Sequence, residues 1–309
     1  RAETTAREAA LLEQRFGVVL AAKRAFFDAL RTSELVRVAE ARVQRAQEGL
    51  EAAERRLSVG SATRSDVLRA QLELTNARQA LSEARNQERT ARYELGRTVG
   101  ADGPVAARDA GELGPEPLAL TREELVALVV ESSPAVRSAE AAVRASDAAV
   151  RVARTQYVPT VRASAGWDWF NQEAQLADGR KSWSMRLSLS YPIFNGFSRE
   201  DALSRASVQS RVNRIALEDA RRGARTELER VLAALTAAEE RIALAEEAVK
   251  VAQEDLRVQE ERYRLGAVTI LERITSQENL VQAETDLVGA RFDYQLARAE
   301  LEALVGREL

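Results

Sequence analysis

Carboxylates are the side chains of this sequence with the widest capacity for chemistry. The 309 residues include 48 acidic and 45 basic side chains but neither histidine nor cysteine. These missing residue types exclude histidine-based triads, thiolate nucleophiles, HExxH zinc sites and disulfides. Paired carboxylates could perform acid–base catalysis, but at this density a Glu/Asp pair is usually a solvated helix face. We therefore expect no enzyme, no metal site and no cofactor.

Two acidic residues, Asp66 and Glu272, occupy the same place in an internal repeat. Each follows a glycine by six residues, and these glycines, Gly60 and Gly266, are 206 positions apart (266 − 60). At this offset about 60 residues align without a gap, and roughly a third of them are identical. A period of about 200 residues is far too long for a solenoid unit. The repeat predicts two homologous halves, each with a helical hairpin that turns at its glycine.

Composition and spacing predict long helices around these glycines. Aromatic residues are only 5% of the chain, and Ala, Leu, Glu and Arg dominate, as in coiled coils. Apolar residues recur at helical spacing over residues 3–57 and 64–98, with Ser65 and Asp66 as cap-type residues of the second helix. Residues 198–263 predict a helix of about 100 Å. A helix of that length has no use in a compact domain.

The middle of the chain predicts shorter elements. Glycine and proline cluster in residues 100–120, which indicates irregular connecting structure. A short helix should follow, with Thr121 as its N-cap and Glu124 completing a capping box. Pro134 should then begin a helix that runs to about Tyr157.

Residues 159–170 and 182–192 are the only convincing strands, because apolar and polar residues alternate in both. They are separated by a polar loop at about residues 171–181. An isolated hairpin is marginal in water, and strands of this length with one apolar face are typical of a transmembrane barrel. A half-buried hairpin of a soluble oligomer is the alternative. The face expected to meet lipid carries Val161, Ala163, Ala165, Trp167, Trp169, Trp183, Met185, Leu187, Leu189 and Tyr191. The face expected to line the lumen carries Arg162, Asp168 and Arg186.

Four phrases together resemble the TolC-like outer-membrane efflux protein family. "VARTQYVPTV" is similar to that family's helix leading into a strand, and "LSLSYPIFNGFSR" to its returning strand and long-helix entry. "VGSAT…DVLRAQ" and "LGAVT" are similar to its two periplasmic tips. The resemblance implies a mainly α fold with a small β part. Long antiparallel coiled-coil hairpins would form an α-barrel, and the β-hairpin would contribute to a trimeric transmembrane β-barrel.

The resemblance also implies a division into five segments. These are a first periplasmic hairpin (1–100, tip near Gly60), an irregular equatorial segment with a short helix (101–133), a helix (134–158), a transmembrane β-hairpin (159–192) and a second long hairpin (193–309, tip near Gly266). A family member has a strand pair in each half. We therefore expect a second strand pair, and any signal peptide or lipid-anchor cysteine, upstream of residue 1.

The implied function is a passive exit duct in the outer membrane, extending into the periplasm, for a tripartite efflux pump or type I secretion system. Its partners would be two further copies, a periplasmic adaptor, an inner-membrane transporter and outer-membrane lipid. With a net charge of −3 and no basic field we expect no nucleic acid. "GRTVGADG" lacks the Lys-Ser/Thr end of a phosphate-binding loop. The alternative is a structural or adaptor-type periplasmic coiled-coil protein.

The tips are expected to dock the adaptor through Val59, Gly60, Ser61, Ala62, Thr63, Leu265, Gly266, Ala267, Val268 and Thr269. By resemblance, Asp66 and Glu272 are gate candidates, about one and a half turns into their helices, with Tyr263 as a tethering partner. Val268 and Thr275 depart from the family's gate pattern, so the bonding network must differ. The competing interpretation is that Asp66 only stabilises a helix dipole and Glu272 is simply exposed.

Overall fold

The computed structural model describes residues 2–108, 114–115, 118, 120–170 and 180–307. Much of the irregular segment after residue 108 and most of the predicted loop at 171–181 lie outside these residues. The described part contains six helices and two strands. They are α1 (Ala2–Ser58), α2 (Arg64–Val99), α3 (Arg122–Ser132), α4 (Pro134–Thr155), β1 (Thr160–Phe170), β2 (Arg180–Ser190), α5 (Ser198–Arg264) and α6 (Ile270–Val305).

The predicted helices and strands are confirmed in type, and their ends follow local capping rules. Thr121 and Glu124 form the predicted capping box at the start of α3. Of the two expected cap-type residues of α2, Asp66 belongs to the capping box but Ser65 does not, because the helix begins at Arg64 and its N-cap is Thr63. Thr63 adopts the extended backbone of an N-cap and accepts a hydrogen bond from the Asp66 amide.

The internal repeat is visible as repeated geometry. Helices α2 and α6 both have 36 residues. Both end at a glycine in the left-handed region, Gly100 (φ 77°) and Gly306 (φ 76°). One cross-hairpin salt bridge also occurs twice, as Arg85–Glu40 at 2.8 Å and Arg291–Glu246 at 2.9 Å. The same offset therefore relates helix lengths, caps and an ion pair.

The chain divides into two compact units. One unit contains the start of α1 through Ala10 together with Ala135–Arg221, and hence α4, the two strands and the beginning of α5. Its strands form one antiparallel pair with Val161 opposite Leu189 and Trp167 opposite Trp183. The described side chains of both strands are exposed on both faces of the hairpin.

The junction between the strands and their helices is held by Arg199. Its side chain is mostly buried and donates hydrogen bonds to the carbonyls of Pro192 (3.2 Å) and Ile193 (3.4 Å). Its guanidinium lies 5.1 Å from the ring centre of Tyr157 and 5.9 Å from that of Tyr191, within cation–π range. One arginine in α5 thus contacts the segments just before β1 and just after β2.

The other unit contains Leu11–Pro134 and Arg222–Leu309. Its core is a series of small layers rich in alanine, as expected where helices approach closely. Three layers consist of Ala46, Leu74 and Ala77; Ala29, Ala91 and Leu95; and Leu235, Ala238, Ile242, Ala290, Tyr294 and Ala297. Between layers, α1 and α6 are joined by the Arg45–Glu284 (2.8 Å) and Arg24–Glu300 (2.6 Å) salt bridges. No helix within the described residues has an apolar stretch sufficient to span a membrane.

Candidate functional site

The two helical tips share one backbone conformation. The amide of Gly60 donates to Leu57 O (3.0 Å), and that of Gly266 donates to the carbonyl of Tyr263 (3.0 Å). Both glycines lie in the left-handed region, at φ 73° and 79°, which a side chain rarely adopts. The predicted glycine turns are thus confirmed as backbone features. Equivalent tip residues also share a burial class, since only Ala62 and Val268 are partly covered and the other eight are exposed.

Both gate candidates are parts of capping boxes. The Asp66 carboxylate accepts hydrogen bonds from the Thr63 amide (2.9 Å) and hydroxyl (2.8 Å). Glu272 accepts from the Thr269 amide at 2.8 Å in the same manner. Each is the third residue of its helix, so the expected position one and a half turns into the helix was wrong. The hydrogen bonds from Thr63, backbone first, lower the pKa of the Asp66 carboxyl below its ordinary value.

Tyr263, the expected tethering partner, is buried beneath the second tip and contacts Arg56 of the first hairpin. The Arg56 guanidinium lies 4.4 Å above the ring centre and donates a hydrogen bond to the Tyr263 carbonyl. It also donates to the carbonyl of Ser61 at 2.9 Å. The tyrosine hydroxyl has no hydrogen-bond partner among the described residues, and burial raises its pKa. No hydrogen bond joins Tyr263 to Asp66 within the described part of the chain.

Arg56 was missed by the sequence analysis. It joins the two tips, yet in sequence it is one of 45 basic residues and has an equivalent arginine, Arg262, in the other half. The sequence signal for the role of Arg56 is a difference between the two halves at the next position of the repeat. At the position equivalent to Tyr263 the first half has Leu57, so only the second half offers an aromatic face to a cation.

A buried arginine farther up the helices was also missed. Arg273 is buried against α1 at Gly49, where an added Cβ would overlap its guanidinium. It donates to the Gln277 side chain at 3.3 Å and lies 3.9 Å from a carboxylate oxygen of Glu260. Desolvation lowers the pKa of Arg273. A glycine in mid-helix with no turn was the available signal, because it marks a close approach.

The strand hairpin presents one apolar and one polar face. Apolar partners coincide across the register, with Ala163 opposite Leu187 and Ala165 opposite Met185. On the other face Arg162 lies opposite Ser188, and Arg186 opposite Ser164. The apolar residues Trp167, Trp183, Met185, Leu187 and Leu189 are 67–79% exposed. Among the remaining candidates Asp168 lies opposite Ser182, Trp169 lies opposite Lys181, and Tyr191 follows the last residue of β2.

Within the described ranges, no group of three or more carboxylates is arranged to hold a metal ion. The candidate functional sites are therefore the two helical tips, with the Arg56–Tyr263 contact between them, and the two faces of the β-hairpin.

Three kinds of similarity agree. The model of the outer membrane efflux protein family matches residues 1–101 and 125–307. Protein CyaE of Bordetella pertussis is 30% identical over 303 residues, covering 93% of this chain and 61% of that protein. The toluene efflux pump outer membrane protein TtgC of Pseudomonas putida is 24% identical, covering 88% of this chain and 57% of its own length. The chain thus spans about 60% of the length of these relatives.

Solved channels share the fold. The structure of VceC from Vibrio cholerae superposes with a TM-score of 0.80 at 21% identity, covering 99% of this chain and 74% of that one. The open-state MtrE channel of Neisseria gonorrhoeae gives 0.83 at 19% identity, covering 99% and 70%. The predicted fold class is confirmed, and so is the outer-membrane localisation of the family. With the family model matching most of its length, the chain belongs to the outer membrane efflux protein family.

Proposed function

We propose that the complete protein is a trimeric, passive exit duct through the outer membrane, serving a tripartite efflux pump or a type I secretion system. The observation that carries the proposal is the β-hairpin, whose apolar side chains coincide in register from the Val161–Leu189 pair to the Trp167–Trp183 pair and are exposed. Water is a poor environment for such a face, whereas lipid is a good one. TtgC, a relative, is described as part of a toluene efflux pump.

The test compares two neighbouring strand residues on opposite faces. Leu187→Arg would put a charge on the lipid side and should cost on the order of 2–4 kcal/mol at mid-membrane, whereas Ser188→Arg should be tolerated. Membrane fractionation and single-channel recording of the complete protein provide the measurements. If the protein fractionates as soluble, or if both variants insert equally well, the duct assignment fails.

The exposed tips are proposed to dock a periplasmic adaptor that links the duct to an inner-membrane transporter. Small side chains lie at the end of each tip. Ser61 and Ala267 are exposed, Ala62 is partly covered, and Val268 packs against the buried cluster beneath the second tip. Ala62→Trp and Ala267→Trp should abolish efflux while trimer formation and insertion remain intact. Normal drug resistance in cells that express these variants at ordinary levels would argue against docking at the tips.

Gating at the tips is proposed to use Asp66 and Glu272 in addition to their capping roles. In a trimer each carboxylate would occur three times and form a negative girdle that favours cations. Asp66→Ala combined with Glu272→Ala should lower the cation selectivity of single channels and weaken divalent-cation block. Thr63→Ala with Thr269→Ala is the matched control, because it weakens the same caps without removing charge. Equal conductance changes in both double variants would assign the carboxylates to capping alone.

A further inference from the structure

Helices α4 and α5 border a groove with a local excess of positive charge. The groove is open to solvent and has a volume of about 520 Å³. It is lined by four arginines and one aspartate, together with Val150, Ser207 and Ser210. The arginines are Arg151, Arg154, Arg211 and Arg214, and the aspartate is Asp147. The whole chain has a net charge of −3, so this concentration of arginines does not follow from overall composition.

The carboxylate of the groove is already engaged. Asp147 accepts a hydrogen bond from the Ser210 hydroxyl at 2.6 Å and forms a salt bridge with Arg214 at 3.0 Å. The hydrogen bond from Ser210, followed by that from Arg214, lowers the pKa of Asp147. Asp147 therefore remains ionised and neutralises about one guanidinium.

Three guanidinium groups form no direct ion pair among the described residues, although Arg151 is close enough to Asp147 to help lower the pKa of that carboxyl. Within the described part of the chain, Arg151, Arg154 and Arg211 form no salt bridge, and all three are exposed. Many other exposed arginines of the helices do pair with a carboxylate, for example Arg205 with Asp201 in the same helix. A guanidinium group can donate two hydrogen bonds to two oxygens of one phosphate group. Attraction of an anion by diffuse surface charge does not require this geometry.

The position of the groove indicates where the phosphate would come from. Arg151 and Arg154 lie in the last turns of α4, and β1 begins at Thr160, five residues after that helix ends. The phosphate layer of a bilayer lies just outside its hydrocarbon core. Arginine side chains are long enough to reach that layer from an adjoining helix. We propose that this groove binds the phosphate of an anionic lipid headgroup in the membrane leaflet nearest the helices. The lipid source rests on the proposed insertion of the hairpin.

Binding can be measured on the full chain in dodecyl maltoside micelles, independently of conductance. Calorimetric titration would compare dihexanoyl phosphatidylglycerol with dihexanoyl phosphatidylcholine, which carries the same phosphate but no net charge. We expect at least tenfold tighter binding of the phosphatidylglycerol, weakening steeply with added salt. The variant Arg151→Gln/Arg154→Gln/Arg211→Gln should lose this preference, and the corresponding triple lysine variant should retain most of it.

The matched control removes the same charge elsewhere. Arg69→Gln/Arg78→Gln/Arg89→Gln on α2 changes three exposed arginines that form no salt bridge among the described residues, and should keep wild-type affinity within about twofold. Equal losses in both triple variants, or no preference in the wild type, would overturn the site. Inorganic phosphate that competes as well as the lipid, mole for mole, would overturn the lipid source. Phosphatidylglycerol binding with failed membrane insertion of the protein would count against the duct and against the lipid source, and would leave the anion-binding groove standing.

Discussion

The same hydrogen-bonded turn closes both tips, yet the side chains beneath the turns have different surroundings. Leu57 is 39% exposed, whereas its repeat equivalent, Tyr263, is 4% exposed. The contrast continues along the helices that follow. Leu68 is 56% exposed and the equivalent Ile274 only 9%, and Gln71 is exposed where Gln277 is fully buried.

This difference separates local backbone geometry from the packing of one helix against another. Glycine turns and capping boxes depend on a few neighbouring residues, so the repeat reproduces them wherever those residues recur. Packing depends on the partner helix. The second hairpin buries its first turns in a cluster of Tyr263, Ile270 and Ile274, and the first hairpin contributes Arg56 to cover that tyrosine. Repeat equivalence therefore predicts the caps but not the cores.

The largest expected effect comes from the buried cluster. Ile274→Ala should destabilise the protein by about 2–5 kcal/mol, because it removes packed methylene groups and leaves a cavity. The repeat-equivalent Leu68→Ala should cost no more than about 0.5 kcal/mol at its exposed position. Urea unfolding monitored by circular dichroism measures both. Equal costs would mean that the first tip is as well packed as the second in the assembled protein, and the comparison would fail.

A middle-sized effect is expected at the close approach of α1 and α6. Gly49→Ala should destabilise by about 1–3 kcal/mol, because the new methyl group would displace the Arg273 guanidinium. Gly17→Ala in the same helix meets nothing nearby and should instead stabilise by up to about 1 kcal/mol. Thermal unfolding of both variants tests this difference in sign. Adding Arg273→Leu to Gly49→Ala should recover stability, and a lack of recovery would show that the arginine is not the obstacle.

The smallest effects should be equal in the two halves. Thr63→Ala and Thr269→Ala each remove a capping box and should each cost about 1 kcal/mol, measured by urea unfolding near neutral pH. A cost at one tip more than twice that at the other would show that caps, too, depend on packing.

The first cap should also respond to pH. The pKa of Asp66 is lowered in the folded protein, so its stabilisation is present above its ordinary value of 3.8 and is lost as the pH falls through the lowered value. Asp66→Asn should therefore be less stable than the wild type at pH 6, and the gap should narrow below the ordinary carboxyl pKa. A constant gap between pH 6 and pH 2 would exclude ionisation as its cause.

The sequence predicted those parts of the fold that depend on near neighbours. Alternation identified both strands and their two faces, and the Thr121–Glu124 pair identified the start of α3. At the start of α2 the sequence indicates Ser65 and Asp66 as cap-type residues, but three such residues lie close together there, and only backbone geometry identifies Thr63 as the N-cap. Arg56 and Arg273 were missed, since their roles depend on contacts across more than 200 residues of sequence and their only signals lie in partner residues, Tyr263 and Gly49.

The contacts of Arg199 affect how much conformational entropy the two strands lose when a barrel assembles. By contacting Tyr157 before β1 and Tyr191 after β2, Arg199 holds the entry and exit of the hairpin at a fixed separation within one protomer. Two tethered strands lose less freedom on joining a barrel than two independent ones, since much of their loop-closure entropy has already been lost. In the proposed trimer each subunit would therefore add its strand pair as a single preorganised piece. Barrel closure would then require alignment of whole hairpins rather than a search by separate strands.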